Sequence, residues 1–329
     1  MSKYVKTERG YEAIVVKSDL GENSVRLNNL TTNRATGDCS VAEGEDSRAY
    51  GYCSHAGGWN SIATGESSHA QGNNVRADGN YSHAEGGYTS ASGDYSHAEG
   101  CHASASGDYS HAEGRNIIAS GICSHAEGND TIASGAYSHA EGNDTIASGE
   151  QSHAEGYYTT ASGAYSHAEG WDTCAAGRQS HAEGSNLTAT GEALPSKTLA
   201  LSNGSTYTIS GSTAYGRSSH AEGAQAFAGG YASHAEGCGT EALGEVSHAE
   251  GFGTTASGKS SHSEGDYTTA SGYASHAEGD GTTAFGYSSH AEGNSTKAFG
   301  SYSHAEGYTT TASNYHSHAE GFITVASGC

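Results

Sequence analysis

The chain has 329 residues, enough for two ordinary domains, yet only 34% are hydrophobic and 49 are glycine, with one proline, one methionine and five phenylalanines. That composition cannot fill a conventional core of bulky aliphatic side chains. The formal net charge is −23, with six Lys/Arg against five Asp/Glu in residues 1–38 and eight against 32 in the remainder, which excludes a basic nucleic-acid surface and disfavours contact with anionic membranes.

Residues 1–38 read as a separate N-terminal cap or attachment segment. The run Tyr11-Glu-Ala-Ile-Val-Val16 predicts a short strand. The start carries no apolar signal-peptide core and no stretch reaches the length of a membrane span, so neither signal-directed secretion nor membrane insertion is expected. Asn23 to Asn29 reads as a divergent first repeat, and Ser40-Val-Ala-Glu-Gly44 sets the register for the later repeats.

From there one motif, Ser-His-Ala-Glu-Gly, recurs almost to the C-terminus. Its histidines, His55, His69, His83, His97, His111, His125, His139, His153, His167 and His181, stand 14 residues apart, and after one interruption the step resumes at His220, His234, His248, His262, His276, His290, His304 and His318. Only His102 and His316 fall outside the series. A short fixed repeat is the signature of a solenoid, in which each repeat is one coil that buries its inner face by stacking on its neighbours. Strict periodicity also argues against disorder, despite the polar composition. The predicted regions are 39–191 and 212–329 as β-roll, separated by an insertion at 192–211.

With His as position 0, the repeat places Ser at −1, Ala at +1, Glu at +2, Gly at +3, Thr at +6, Ala at +8 and Gly at +10. The copy around His139 shows all of them in Ser138, Ala140, Glu141, Gly142, Thr145, Ala147 and Gly149. Alternation along a strand puts Ser, Ala and Gly on one face and His and Glu on the other. Burying His and Glu of every coil in so narrow a roll would cost kcal/mol per group, so the small residues must line the interior. The glycines suit junctions between strand and turn, where a positive φ or a close backbone approach excludes a side chain. Gly142→Val is expected to break its coil.

In the interruption, Lys197 to Leu201 and Thr206 to Ile209 flank Ser202-Asn-Gly-Ser205, which predicts a β-hairpin projecting from a corner. The 39 residues from His181 to His220 fit either one coil carrying an insertion or two coils with a shorter one. The apolar side chains Leu199, Leu201, Tyr207 and Ile209 suit either a stabilising flap or a knob that binds a partner. Past His318 the chain stops partway round a coil, an end that reads as a fragment, a cleavage product or a contact in an assembly.

The pattern Ser-x-Ala-x-Gly followed by Ala-x-Gly resembles the head repeat of trimeric autotransporter adhesins, whose coils read Ser-Val-Ala-Ile-Gly. Here Ser40 to Gly44 is nearest, and the resemblance covers about residues 23–329. The His-Ala-Glu-Gly form is also similar to repeats of phage and prophage tail fibres. The resemblance implies an all-β, left-handed parallel β-roll with three chains side by side, and it carries the ladder positions onto the threefold axis. These positions are the 18 histidines above together with Glu85, Glu99, Glu113, Glu127, Glu141, Glu155, Glu169, Glu183, Glu222, Glu236, Glu250, Glu264, Glu278, Glu292, Glu306 and Glu320. Imidazoles donating to carboxylates of neighbouring chains would fix register and make assembly sensitive to pH. The alternative is a solvated stripe on a single roll.

Catalysis is not expected, because identical groups in every coil offer no unique polarised constellation. No cofactor is expected, and repetition favours a structural ladder over a metal site, although imidazoles in layers suit Zn, Ni or Cu. Thr and Ser at +7 and +9, as at Thr255/Ser257 and Thr269/Ser271, raise an ice-binding array as another class. Tyr81, Tyr95, Tyr109, Tyr137, Tyr165 and Tyr302 sit at a corner, placed to stack or to meet glycans. The seven cysteines form no Cys-x-x-Cys pair and read mostly as free thiols, with Cys39 and Cys53 one coil apart. The expected function is a homotrimeric, non-enzymatic fibre segment of a phage or prophage tail. It would be made in the cytoplasm, meet a surface glycan or protein receptor, and join other tail components at its ends. A head fragment of a bacterial adhesin, displayed at the cell surface, is the alternative.

Overall fold

A computed structural model describes residues 5–6, 12–13, 21–27, 32–185, 197–200, 206–209 and 212–327. The chain forms two compact units, Met1–Gln151 and Ser152–Cys329. Each is a parallel β-solenoid with a step of 14 residues, and no helix of the described residues is long and apolar enough to cross a membrane.

In the first unit the five-residue strands run from Val41–Glu45 through His55–Trp59 to His139–Asn143, and two-residue strands alternate with them from Arg34–Ala35 to Ile146–Ala147. Long strands pair only with long and short only with short, in register: His83, Ala84, Glu85 and Gly86 face His97, Ala98, Glu99 and Gly100, while Ile132 faces Ile146. Val25–Leu27 and Arg34–Ala35 already pair with the next coil, so the first coil lies inside the stretch 1–38. Of the strand expected at residues 11–16, Glu12–Ala13 pairs antiparallel with Val5–Lys6; the rest lies outside the described residues.

The second unit repeats the scheme from His153–Tyr157 to His318–Phe322, with short strands from Thr160–Ala161 to Val325–Ala326. His181 faces His220 directly and Cys174 faces Thr213, so the gap of 39 residues is one coil carrying an insertion. Within that insertion Lys197–Ala200 pairs antiparallel with Thr206–Ile209, Leu199 opposite Tyr207. Leu201 lies outside the described residues.

The interior is built from the smallest side chains. Ala126 and Ala133, the +1 and +8 residues of one coil, are fully buried, as are their counterparts from Ala35 to Ala312. The −1 serines are buried too, and in most coils, Ser124 and Ser166 excepted, the hydroxyl donates within its own turn: Ser82 Oγ to the Gly79 carbonyl at 2.6 Å and Ser247 Oγ to Gly244 at 2.7 Å. A buried hydroxyl satisfied by its own turn avoids the desolvation penalty that would otherwise forbid it.

Two glycine columns fix how closely coils stack, for different reasons. At +3 the backbone is left-handed, as at Gly128 with φ 119°, and a Cβ there would strike the carbonyl oxygen of Gly142 in the next coil. At +10, Gly135 is not left-handed, but a Cβ would strike the carbonyl oxygen of Gly149. Close approach is therefore the common cause, and positive φ applies only to the first column.

Two further residues per coil adopt a left-handed backbone without being glycine. At +5 they include Asn116, Asp130 and Asp144 but also Tyr88, Gln225 and Ile323, with Gly239, Gly253 and Gly281 in the same place; at −2 they include Tyr81, Cys123, Gln151 and Val246. Asn, Asp and Gly tolerate this region, whereas tyrosine and valine do so only when surrounding hydrogen bonds hold them. The stacking supplies such bonds: Tyr81 N–H donates to the Glu66 carbonyl at 2.7 Å and Val246 N–H to Tyr231 at 2.7 Å.

Candidate functional site: the histidine and glutamate ladder

Each ladder histidine opens a long strand, one residue before the buried alanine, so its side chain must leave the roll. In-register pairing then sets the imidazoles one above another. In the first unit the rings from His83 to His139 stack at centroid distances of 4.7–4.9 Å, with interplanar angles of 4–21°. In the second unit consecutive rings from His153 to His304 stack at 4.7–4.9 Å. Rings tilt at two places: His55 lies at 54° to His69, and His318 at 63° to His304.

The glutamate two residues on returns to the same face. Its Oε2 stands 3.3 Å from the ring Nε2 in the pair His111–Glu113, 3.5 Å in His248–Glu250 and 3.9 Å in His220–Glu222. The nearest carboxylate is thus in the same coil, a partner that alternation along the strand supplies within one chain. Where +2 is not glutamate the contact is rerouted: beside Gly57, His55 meets Glu43 of the preceding coil at 3.2 Å, and His69 meets Gln71 at 3.2 Å. Glu155 and Glu236 occupy the same register position in their strands.

The ladder side chains are half-buried: those of His83 and His304 are 36% and 33% exposed. Burial lowers the pKa of His220, His234, His248 and His276, the charge on the next imidazole adds to this, and flanking glutamates oppose it. His69 is lowered by burial against the pull of Gln71. Burial, then the neighbouring Glu292, raises Glu278. Burial therefore favours the neutral ring at these five histidines.

Other outward groups also form columns. Tyr81, Tyr95 and Tyr109 stack at 4.9 and 5.0 Å and are about half exposed. The two histidines outside the ladder belong to corners: His102 stacks on Tyr88 at 4.9 Å and His316 on Tyr302 at 5.2 Å. Cys39, Cys53, Cys101, Cys123 and Cys238 are free thiols, and burial and then Cys53 push the Cys39 thiol up. At +7 the residues change from coil to coil: Arg76, Ser90, Ile118, Thr160, Lys297. Three of them in succession, Thr213, Phe227 and Glu241, are buried. The left-handed columns were not anticipated from the sequence, although the Asn, Asp and Gly at +5 were a legible signal for the first.

The sequence profile of the YadA head domain repeat, spanning two copies, matches residues 140–166, 249–275 and 277–303. Each match opens on the buried +1 alanine and closes on the buried −1 serine two coils later. The chain thus carries repeats of the kind found in trimeric autotransporter adhesin heads, a structural adhesin type of repeat. No curated protein matches it at a significant level.

Proposed function

We propose that three copies of this chain assemble side by side along the His/Glu face to form a segment of an adhesin-like fibre, most simply of a phage or prophage tail. The observation that carries this reading is the uniformity of one outer face. The fold requires small residues inside, yet His at position 0 repeats through every coil from His55 to His318, while the +7 position, outward in most coils, accepts charged, hydroxyl and aliphatic residues alike. A repeated outer surface that folding does not demand is what a contact between copies would impose. The YadA-type match supports the same arrangement, since heads of that type are trimers, and the tail-fibre assignment rests on the likeness of the His-Ala-Glu-Gly form.

In such an assembly the ladder sets register: a one-residue slip would turn every imidazole inward and every alanine outward. Three chains also give avidity to weak contacts with a surface glycan or protein, with the strands Lys197–Ala200 and Thr206–Ile209 as the outgrowth available for them. An adhesin head is the second reading, favoured by Ser40-Val-Ala-Glu-Gly44, which keeps one aliphatic of the adhesin motif. Sedimentation equilibrium over a range of concentrations at about pH 8 tests the assembly. Three times the chain mass is expected, and a monomer at all concentrations would overturn it.

A further inference from the structure

We infer that the ladder is a linear array of transition-metal sites, each holding one Zn²⁺- or Ni²⁺-like ion between the imidazoles of two consecutive coils and the carboxylate of the glutamate between them. The clearest run is His181, His220, His234, His248, His262 and His276, where each successive His–Glu–His group brings three ligand atoms within 4.8 Å of one another. The ligands of each ion come from one chain, so the inference does not rest on three-chain assembly.

Three observations carry it. First, the ring Nε2 atoms of His220, His234, His248, His262 and His276 are buried and make no hydrogen bond. The nearest carboxylates stand at 3.5–3.9 Å in four of these coils, too far to accept one. A cation between ring and carboxylate would satisfy both. Second, in-register pairing stacks Glu250, Glu264, Glu278 and Glu292 in successive coils, a column of like charge that a divalent ion relieves. Third, two imidazoles and a carboxylate, completed by water, form a ligand set that suits Zn²⁺ and its neighbours, and a neutral imidazole is the ligating form.

Geometry also fixes the count. Bonds of about 2.0–2.1 Å in a tetrahedral site need the two ring nitrogens roughly 3.4 Å apart, whereas the rings repeat every 4.7–4.9 Å. Two rings must therefore tilt together, as the tilted pairs His55/His69 and His304/His318 show the stack allows. A ring tilted toward one neighbour is withdrawn from the other. Occupancy is limited to alternate gaps, one ion per two histidines.

The test is titration of the full chain, stripped by chelator and with its thiols alkylated, with Ni²⁺ alone and separately with Co²⁺, followed by calorimetry and absorbance. The expected result is saturation near one ion per two ladder histidines, with the intense visible bands of tetrahedral Co²⁺. Because an ion can occupy either gap beside His248, the double change Glu236→Gln with Glu250→Gln, a substitution already present at Gln71 in the equivalent place, should cost about one ion per chain while far-UV circular dichroism is unchanged. His248→Gln should do the same, and removing His102 and His316 should change nothing. Saturation at one ion per histidine, uptake unaltered by the double change at Glu236 and Glu250, or no uptake would each overturn the inference. Sedimentation of the same samples shows whether chains are single or associated, and the ratio per chain holds in either case.

Discussion

The two strands of a coil obey the same rule inside and different rules outside. The long strand buries Ala126 and the short strand Ala133, both completely, and each ends near a glycine whose missing side chain lets the next coil close down. On the outer surface the long strand carries His125 and Glu127, repeated coil after coil, whereas the short strand carries Ile62, Ile118, Ile132 and Ile146 in four coils and Ser, Thr, Arg or Lys in many others. Folding constrains the interior equally. The uniform outer face is what the proposed contact between chains, or the proposed ions, would account for.

The largest effects should fall on the interior, and equally on both strands. Gly128→Val on the long strand and Gly121→Val just past the short one should both be severe, above about 4 kcal/mol, because each Cβ meets a backbone carbonyl that cannot move without parting two coils. Chemical denaturation followed by circular dichroism decides it, and tolerance at either site would break the equality. Ala126→Leu and Ala133→Leu come next, at about 1–3 kcal/mol each from overpacking, again with no difference between strands.

Acid should act on the long strand's face alone. The folded pKa of His69, His220, His234, His248 and His276 lies below the ordinary 6.5, so between the two values the unfolded chain binds more protons and stability rises with pH. The contribution is intact above 6.5 and is lost as the pH falls from there through the lowered folded values. His248, for example, faces the charge of His262, opposed by Glu236, Glu250 and Glu264. Glu278, raised above 4.5, works in the opposite sense at lower pH, gaining stability as it protonates. Melting in chelator-treated buffer should drop by several degrees between about pH 7 and about pH 5; a flat profile would mean the rings feel neither burial nor one another.

The smallest effect belongs to the variable face. Ile118→Thr should change stability by no more than about 0.5 kcal/mol, since Ile118 is 41% exposed and Thr160 already occupies the equivalent site. His111→Thr, on the ladder, should lose the stacking with His97 and His125, about 1 kcal/mol, and a larger share of any assembly. Equal outcomes for the two would erase the distinction between the faces.

Much of this was legible in the sequence because a period of 14 and an alternation of two leave little freedom: once Ala140 is inside, His139 and Glu141 are outside. The spacing from His181 to His220 left two topologies open, since the number of residues alone does not say which strand pairs with which; the direct pairing of His181 with His220 supplies the answer. The pairing of an imidazole with its own coil's glutamate, as in His111–Glu113, was less visible, because residues two apart on a strand read first as sharing a face and only then as touching. The left-handed tyrosines were not legible at all. Nothing about Tyr81 or Tyr95 favours that backbone, which is held by bonds to the preceding coil.

The interior of alanine and glycine has a genetic consequence. Because each coil closes on the same small residues, the loss or gain of 14 codons leaves the inner alanines and glycines between neighbours of the same kind. A change of one or two codons within a strand would turn inner residues outward, while an insertion placed at a corner, as between His181–Ser185 and Thr213–Ala214, is absorbed. Length in this protein is thus an integer that replication slippage can edit while the inner columns of small residues stay continuous.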